Sequence, residues 1–251
     1  MGMATPIART AHPKSSSKSS GAMERTLTQL KAMIVSGELS PGEQIRQEEM
    51  AEQLQISRVP LREAMNVLAD QGLLFHRPHQ GYFVTKRAPG EHAQIRRMLH
   101  LLENELMLTI RWPETGILDG LRELNKQMLA CSQAQDIRGL TEINRQFHFR
   151  IFSLSPNHLI LEEVRRLWSM IEPSMWTKFQ RADGREQTLA EHERIIAAID
   201  ANDRQACVSE MEQHRYSSES GLPIELPGLE ADNHRPGDSK ARRAQLEVPR
   251  Y

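Results

Sequence analysis

The stretch ISRVPLREAMNVLADQGLL at residues 56–74 constrains the fold more than any other part of this chain, because it specifies one helix with two unlike faces. Ser57 is placed to cap the helix start by accepting a hydrogen bond from an orphan backbone N–H. Pro60 falls in the first turn, where a missing N–H costs nothing. Leu61, Met65 and Leu68, with Ala64 beside them, recur at helical spacing and predict a buried face. Arg58, Arg62 and Asn66 recur on a second face that is polar and long-armed.

Just upstream, EEMAEQL at residues 48–54 predicts a short helix whose Met50, Ala51 and Leu54 pack on the first, and Gln55-Ile56-Ser57 leaves room only for a turn. Two short helices joined this tightly, the second with exposed arginines near its start, form a helix-turn-helix that sets side chains on major-groove base edges. Downstream, residues 73–76 and 82–85 are β-prone runs around Pro78-His79-Gln80-Gly81, the pattern of a hairpin. Beside a helix-turn-helix this hairpin is a wing. It brings His76, Arg77, His79, Lys86 and Arg87 toward phosphates or the minor groove, with Gly81 allowing close backbone approach. The predicted DNA contacts are Ser57, Arg58, Arg62, Asn66, Arg77, His79, Gln80 and Gly81. Acidic and basic side chains balance over residues 23–87, so a positive footprint has to come from placement.

GELSPG at residues 37–42, the EEMAEQLQISRVPLREA block, LADQGLL and the QGYFV wing follow one another without a gap from 23 to 84. In that order they resemble the winged-helix domain of the GntR family of bacterial transcription regulators. Two departures bear on specificity: Glu48 stands where many members carry a DNA-contacting Arg, and Gln80 precedes the wing glycine where Arg is frequent. The operator sequence of relatives therefore does not carry over.

At 251 residues with a net charge of −1, the chain has room for two modest domains and suits a soluble globular protein. No apolar run approaches the roughly 20 residues needed to span a bilayer, and no signal-peptide core opens the sequence. The expectation is a cytoplasmic protein without membrane contact. Cys131 and Cys207 are too few for a disulfide framework or zinc knuckle and are expected as buried small residues. Residues 1–22 and 221–251, rich in Ser, Lys, Pro, Gly and charge, are expected to be disordered tails around a DNA-binding domain (23–88) and a helical domain (89–220).

From residue 89 to 220, Gly and Pro are sparse and apolar residues recur at helical spacing. About six helices are predicted, over 89–111, 114–132, 136–153, 158–181 (kinked at Pro173), 185–201 and 203–218, with Asp136 and Asp203 as caps. The fold class is thus mainly α: an N-terminal winged helix-turn-helix followed by an antiparallel all-helical bundle. Asn144 and His148 border the apolar stripe of the third bundle helix, His192 continues into Ile195, Ile196 and Ile199, and His214 shares a face with Cys207 and Met211. All three imidazoles are expected to point inward. A single inward His is usually a satisfied core residue, whereas three from three helices, with Asn144 as an oxygen donor, can converge on a divalent ion. The spacing leaves both readings open.

INRQFHFRIF (143–152), EHERIIAAI (191–199) and EMEQH (210–214) resemble the FCD effector domain of the FadR branch, and the helix count resembles its VanR-like group. Many such domains hold a metal through an Asp and three His and bind small carboxylates beside it. His148, His192 and His214 match that set, while Asn144 replaces the Asp. The resemblance implies a divalent transition metal, zinc or nickel, held more weakly than by a charged ligand. For the carboxylate the candidates are Arg96, Arg97 and Arg145, with Arg150 nearby; Leu99 stands where members place an Arg four residues before the helix-one Glu, here Glu103. His92, His100, His158 and His234 are expected at the surface or in loops, and Trp168 and Trp176 in the core or lining a pocket.

Together these readings give a homodimeric repressor of a palindromic operator in double-stranded DNA, released by a small carboxylate metabolite bound beside a metal. Two alternatives use the same residues: a metal sensor with the ion as effector, and a metalloenzyme with a DNA-localising module. The latter needs a general base near the ion, and Glu191, Glu193 and Asp200 have no sequence reason to point inward.

Overall fold

A computed structural model describes residues 16–113 and 115–219. Its elements run α1 (Ser16–Ser36), β1 (Gln44–Ile45), α2 (Gln47–Gln53), α3 (Arg58–Asp70), β2 (Leu74–Arg77), β3 (Gly81–Val84), α4 (Pro89–Thr109), α5 (Thr115–Gln133), α6 (Ile137–Phe152), α7 (His158–Phe179), α8 (Ala182–Asp200) and α9 (Arg204–Glu219). Helix α1 begins inside the segment 1–22 expected as a tail. Ser and Lys are adequate helix formers, and a helix fixed downstream by buried Leu30, Met33 and Ile34 extends backward cooperatively. The rest of that tail and residues 220–251, with His234, lie outside the described residues.

The first part of the chain folds around Leu30, Ile45, Leu61, Met65, Leu68, Leu74 and Val84, so the apolar face predicted for α3 is its buried face. In the turn before α3, Gln55 takes a left-handed φ of 53° and Ile56 N–H donates to Ala51 O at 3.0 Å. Ser57 occupies the N-cap position, but its side chain makes no capping bond. The N3 residue is Pro60, so the donor such a hydroxyl most often bonds is missing. The hairpin forms with His76 opposite Tyr82 and Arg77 opposite Gly81, and β1 adds an unforeseen third strand, giving the antiparallel order β1-β3-β2. Strand β1 is too short to show a period in the sequence.

Helices α4–α9 pack as an antiparallel-rich bundle in which α4 lies against α7 and α9, and α5 against α6 and α8. Asp136 caps α6 by accepting from Gly139 N–H at 2.9 Å, and Asp203 accepts from Ala206 N–H at the start of α9. Helix α7 runs unbroken through Pro173. Cys207 is buried as expected, whereas Cys131 is only half-buried.

The two parts meet along α1 and α7, where Lys31 Nζ lies 2.6 Å from Glu172 Oε2. Arg87, expected to reach DNA, instead donates to Gly72 O at this junction. Gly72 follows α3 at φ 74°, a left-handed conformation that favours glycine, while the atoms a Cβ there would meet, Met170 Cε of α7 and Arg87 Nη2, are ends of flexible side chains that can shift.

Candidate functional site

On the DNA-binding side, Arg58, Arg62 and Asn66 stand exposed along one edge of α3. Arg58 Nη2 bonds Glu48 Oε1 at 2.7 Å, and Asn66 Oδ1 accepts from Tyr82 Oη of the wing, which fixes its amide against β3. Arg62 forms no ion pair with any described residue. Arg77, His79 and Gln80 are exposed around the wing turn, with His79 at φ 63° and Gly81 at φ 86°. The Arg77 guanidinium lies 5.1 Å and 4.9 Å from the centroids of Phe75 and Phe83, so its reach is set by two aromatic faces.

The Glu48–Arg58 pair is exposed and contributes little to stability, but it neutralises the first arginine of the exposed polar face of α3. Glu48→Gln is therefore expected to tighten DNA binding several-fold and to raise the salt slope of log K by roughly one phosphate contact. Equal slopes in titrations of the two proteins would show that Arg58 does not reach phosphate.

In the bundle, α6, α8 and α9 bring His148, His192 and His214 together, 2 %, 0 % and 3 % exposed, with one donor nitrogen of each within 4.8 Å of the others. His148 Nε2 and His214 Nε2 are 3.1 Å apart, close to the roughly 3.3 Å edge that zinc–nitrogen bonds of about 2.05 Å give in a tetrahedron. Glu191, absent from the expected site, is 2 % exposed; its Oε2 accepts from His214 Nδ1 at 2.7 Å and from Ser217 Oγ at 2.8 Å. That bond places the His214 proton on Nδ1 and turns the Nε2 lone pair to the cluster, as carboxylates do behind metal-bound imidazoles. His192 stacks on Phe147 with centroids 3.8 Å apart. Both His192 nitrogens, His148 Nδ1 and Asn144 Oδ1 are buried without a hydrogen-bond partner.

Such orphaned atoms are rare in interiors, and Asn144 Oδ1 and one nitrogen of His192 are of the kinds that, beside His148 and His214, could hold a divalent ion. Burial, reinforced by His214 and Arg215, holds the His148 imidazole well below its ordinary value, and burial does the same to His192. For His214, burial lowers the value against the opposing bond to Glu191. Burial raises Glu191, but the His214 and Ser217 bonds outweigh it and hold the carboxylate low. All three rings are thus neutral and available. Below the ordinary imidazole value of 6.5, the unfolded chain binds protons at these positions and the folded chain resists them. Their stabilising effect is complete above 6.5 and lost as pH falls beneath it. The melting temperature of metal-free protein should drop progressively on acidification through that value; a flat profile would place the rings in contact with water.

A cavity of about 60 Å³ opens beside the cluster, lined by His148 and His214 together with Arg96, Leu99, His100, Glu103, Trp168, Met175 and Arg215. Trp168 thus faces a pocket, and His100 enters its wall, contrary to the expectation of a surface residue. Of the other expected arginines, Arg97 is exposed and outside this wall. Arg145 lies in the crevice between the two parts of the chain, its guanidinium 4.6 Å from the Phe149 centroid. Arg150 covers Gly120. Trp176 lines the crevice. Trp176 thus lines a crevice as expected, whereas Arg97, Arg145 and Arg150 lie outside the cavity wall because helical spacing fixes which residues share a face, not which neighbour that face meets.

Residues 91–216 match the FCD domain, and residues 23–84 match the bacterial regulatory proteins of the gntR family. The chain therefore belongs to the GntR family of bacterial transcription regulators, with a winged helix-turn-helix and an FCD domain. Among its relatives, the HTH-type transcriptional regulator YdhC of Bacillus subtilis is 30 % identical over 74 % of this chain and 84 % of its own length. McbR of Escherichia coli is 27 % identical over 71 % and 82 %, and the Nta operon transcriptional regulator of Aminobacter aminovorans 29 % over 59 % and 70 %. The solved structure of Escherichia coli McbR/YncC shares the fold with a TM-score of 0.68 at 22 % identity, covering 78 % of this chain and 93 % of that one. A putative GntR regulator from Rhodococcus sp. RHA1 does so with a TM-score of 0.65 at 20 % identity, covering 79 % and 96 %. These domains are those of a transcription regulator. Glu191 does point inward, but its carboxylate already serves His214 and Ser217. No helix among the described residues is long and apolar enough to cross a membrane.

Proposed function

We infer that this transcription regulator is a homodimeric, cytoplasmic repressor whose affinity for a palindromic operator is lowered by a small carboxylate bound beside a zinc or nickel ion. The observation that carries the sensing half is the buried cluster of neutral His148, His192 and His214 with the unpartnered Asn144 Oδ1. These four residues would hold the ion, and when bound it supplies a Lewis-acidic position for a carboxylate oxygen. Residues 23–88 would read DNA through Arg58, Arg62 and Asn66 in the major groove and Arg77, His79, Gln80 and Gly81 at the wing, with Ser57 bonding phosphate through its uncommitted hydroxyl. Residues 89–220 would sense and dimerise.

Dimerisation is supported by α4, which exposes Met98, Leu101 and Leu108, the middle one 67 % accessible, on one face shared with the exposed Arg97 and Glu105. The path between sites is short. Trp168 of α7 packs its ring 4.9 Å from that of His148, and one turn on, Glu172 holds Lys31 of α1. A ligand that shifts α7 alters the seat of the winged helix. A coupling of about 3 kcal/mol would lower operator affinity roughly 150-fold.

The test is selection of bound duplexes from a random pool, followed by titration of the recovered sequence. An inverted repeat with half-sites about one helical turn, roughly 34 Å, apart is expected; recovery of a single half-site would overturn the dimer. Adding zinc alone to the complex separates this reading from one with the ion itself as effector.

A further inference from the structure

We propose that Arg215, supplied by α9, is the guanidinium that receives the carboxylate of the ligand in the cavity beside the histidine cluster. The assignment rests on the sensing role inferred above and names the group that confers it. Arg215 follows His214 directly, and both side chains line the same cavity. At 8 % exposure it is an uncommon burial for an arginine, and its partners explain only part of the guanidinium. Nη1 donates to Glu103 Oε2 at 3.2 Å and Nη2 to Asn104 Oδ1, while Nε is buried with no partner. The other oxygen of Glu103 accepts from Trp168 Nε1 at 2.5 Å, so Glu103 is engaged on both sides and cannot rotate to satisfy Nε.

A buried cationic N–H without an acceptor is costly, and here it belongs to a side chain locked in orientation by two neighbours. The complementary group is an anionic oxygen, which a guanidinium N–H binds by a charge-assisted hydrogen bond. From α4 the same cavity receives Leu99, which offers no charge, and Arg96, which is only half-buried, so the buried guanidinium of the wall is that of Arg215. Small organic carboxylates are therefore the ligand class: one oxygen at Arg215, the other toward the histidine side. Glu103 and Trp168 act by positioning the guanidinium.

The test uses zinc-loaded full-length protein titrated calorimetrically with acetate and with lactate, lactamide serving as the uncharged control. Arg215→Leu is combined with Glu103→Gln so that no lone carboxylate is left buried, and Arg215→Lys is measured alongside as a variant that keeps the charge. Wild type should bind at least one of the two acids and not lactamide. The double variant should retain its zinc while affinity falls at least ten-fold, and the Lys variant should fall between. Unchanged affinity in the double variant, or no binding of either acid by wild type, would overturn the assignment. If wild type fails to hold zinc, the metal reading falls on its own, and the same titrations on metal-free protein still decide whether Arg215 receives the acid.

Discussion

Replacing His192 by alanine is expected to strip the protein of metal and to lower its melting temperature by roughly 5–15 °C. His192 is fully buried, stacked on Phe147, and offers two nitrogens that no protein group uses. Truncating a core side chain of this size costs about 2–4 kcal/mol by analogy with large-to-small substitutions, and in a chain of this length each kcal/mol moves the midpoint by about 2–4 °C. Loss of one of three imidazole ligands should weaken metal affinity about a hundred-fold or more, on the scale of 10–16 kcal/mol for a complete structural zinc site. The two effects separate experimentally. Elemental analysis reads the ligand, and a melt of metal-free wild type against metal-free variant reads the packing. A variant with undiminished metal content would make the cluster a group of core histidines.

Arg62→Ala should reduce specific operator affinity about ten- to a hundred-fold, the range of roughly 1–3 kcal/mol for a bidentate base contact, and leave the fold intact. Arg62 lies at the centre of the exposed edge of α3, between Arg58, which Glu48 partly neutralises, and Asn66, which Tyr82 holds. Of the three it is the one without an internal partner. Because it is exposed, stability should change by less than about 0.5 kcal/mol. Footprints of the wild-type extent on the selected operator would remove α3 from the groove.

The helices of both domains were legible in the sequence because each carries its own periodicity and stops. Leu61, Ala64, Met65 and Leu68 repeat at helical spacing, and Asp136 and Asp203 sit where α6 and α9 need acceptors. The inward histidines were legible for the same reason, each lying on an apolar stripe of its own helix. Strand β1 was not, since a pairing of Gln44 and Ile45 with β3 leaves no local signal. Glu191 was hidden because it opens the charged run Glu191-His192-Glu193-Arg194 and its partner, His214, is 23 residues away. Glu103 and Arg215 were hidden likewise: only the packing of α4 on α9 turns two ordinary charged residues into a buried pair.

The sequence by itself determined the order of helices, the exposed polar face of α3 and the three inward imidazoles, since all follow from local period, capping and turn chemistry. Only tertiary structure decided which side chains meet. It set His148 Nε2 against His214 Nε2, put Glu191 behind His214, gave the cavity its guanidinium from α9, and tied Arg87 to Gly72 rather than leaving it for DNA. The physical reason is that burial and desolvation belong to packed interfaces between elements far apart in the chain, and these alone turn an ordinary ionisable residue into a site.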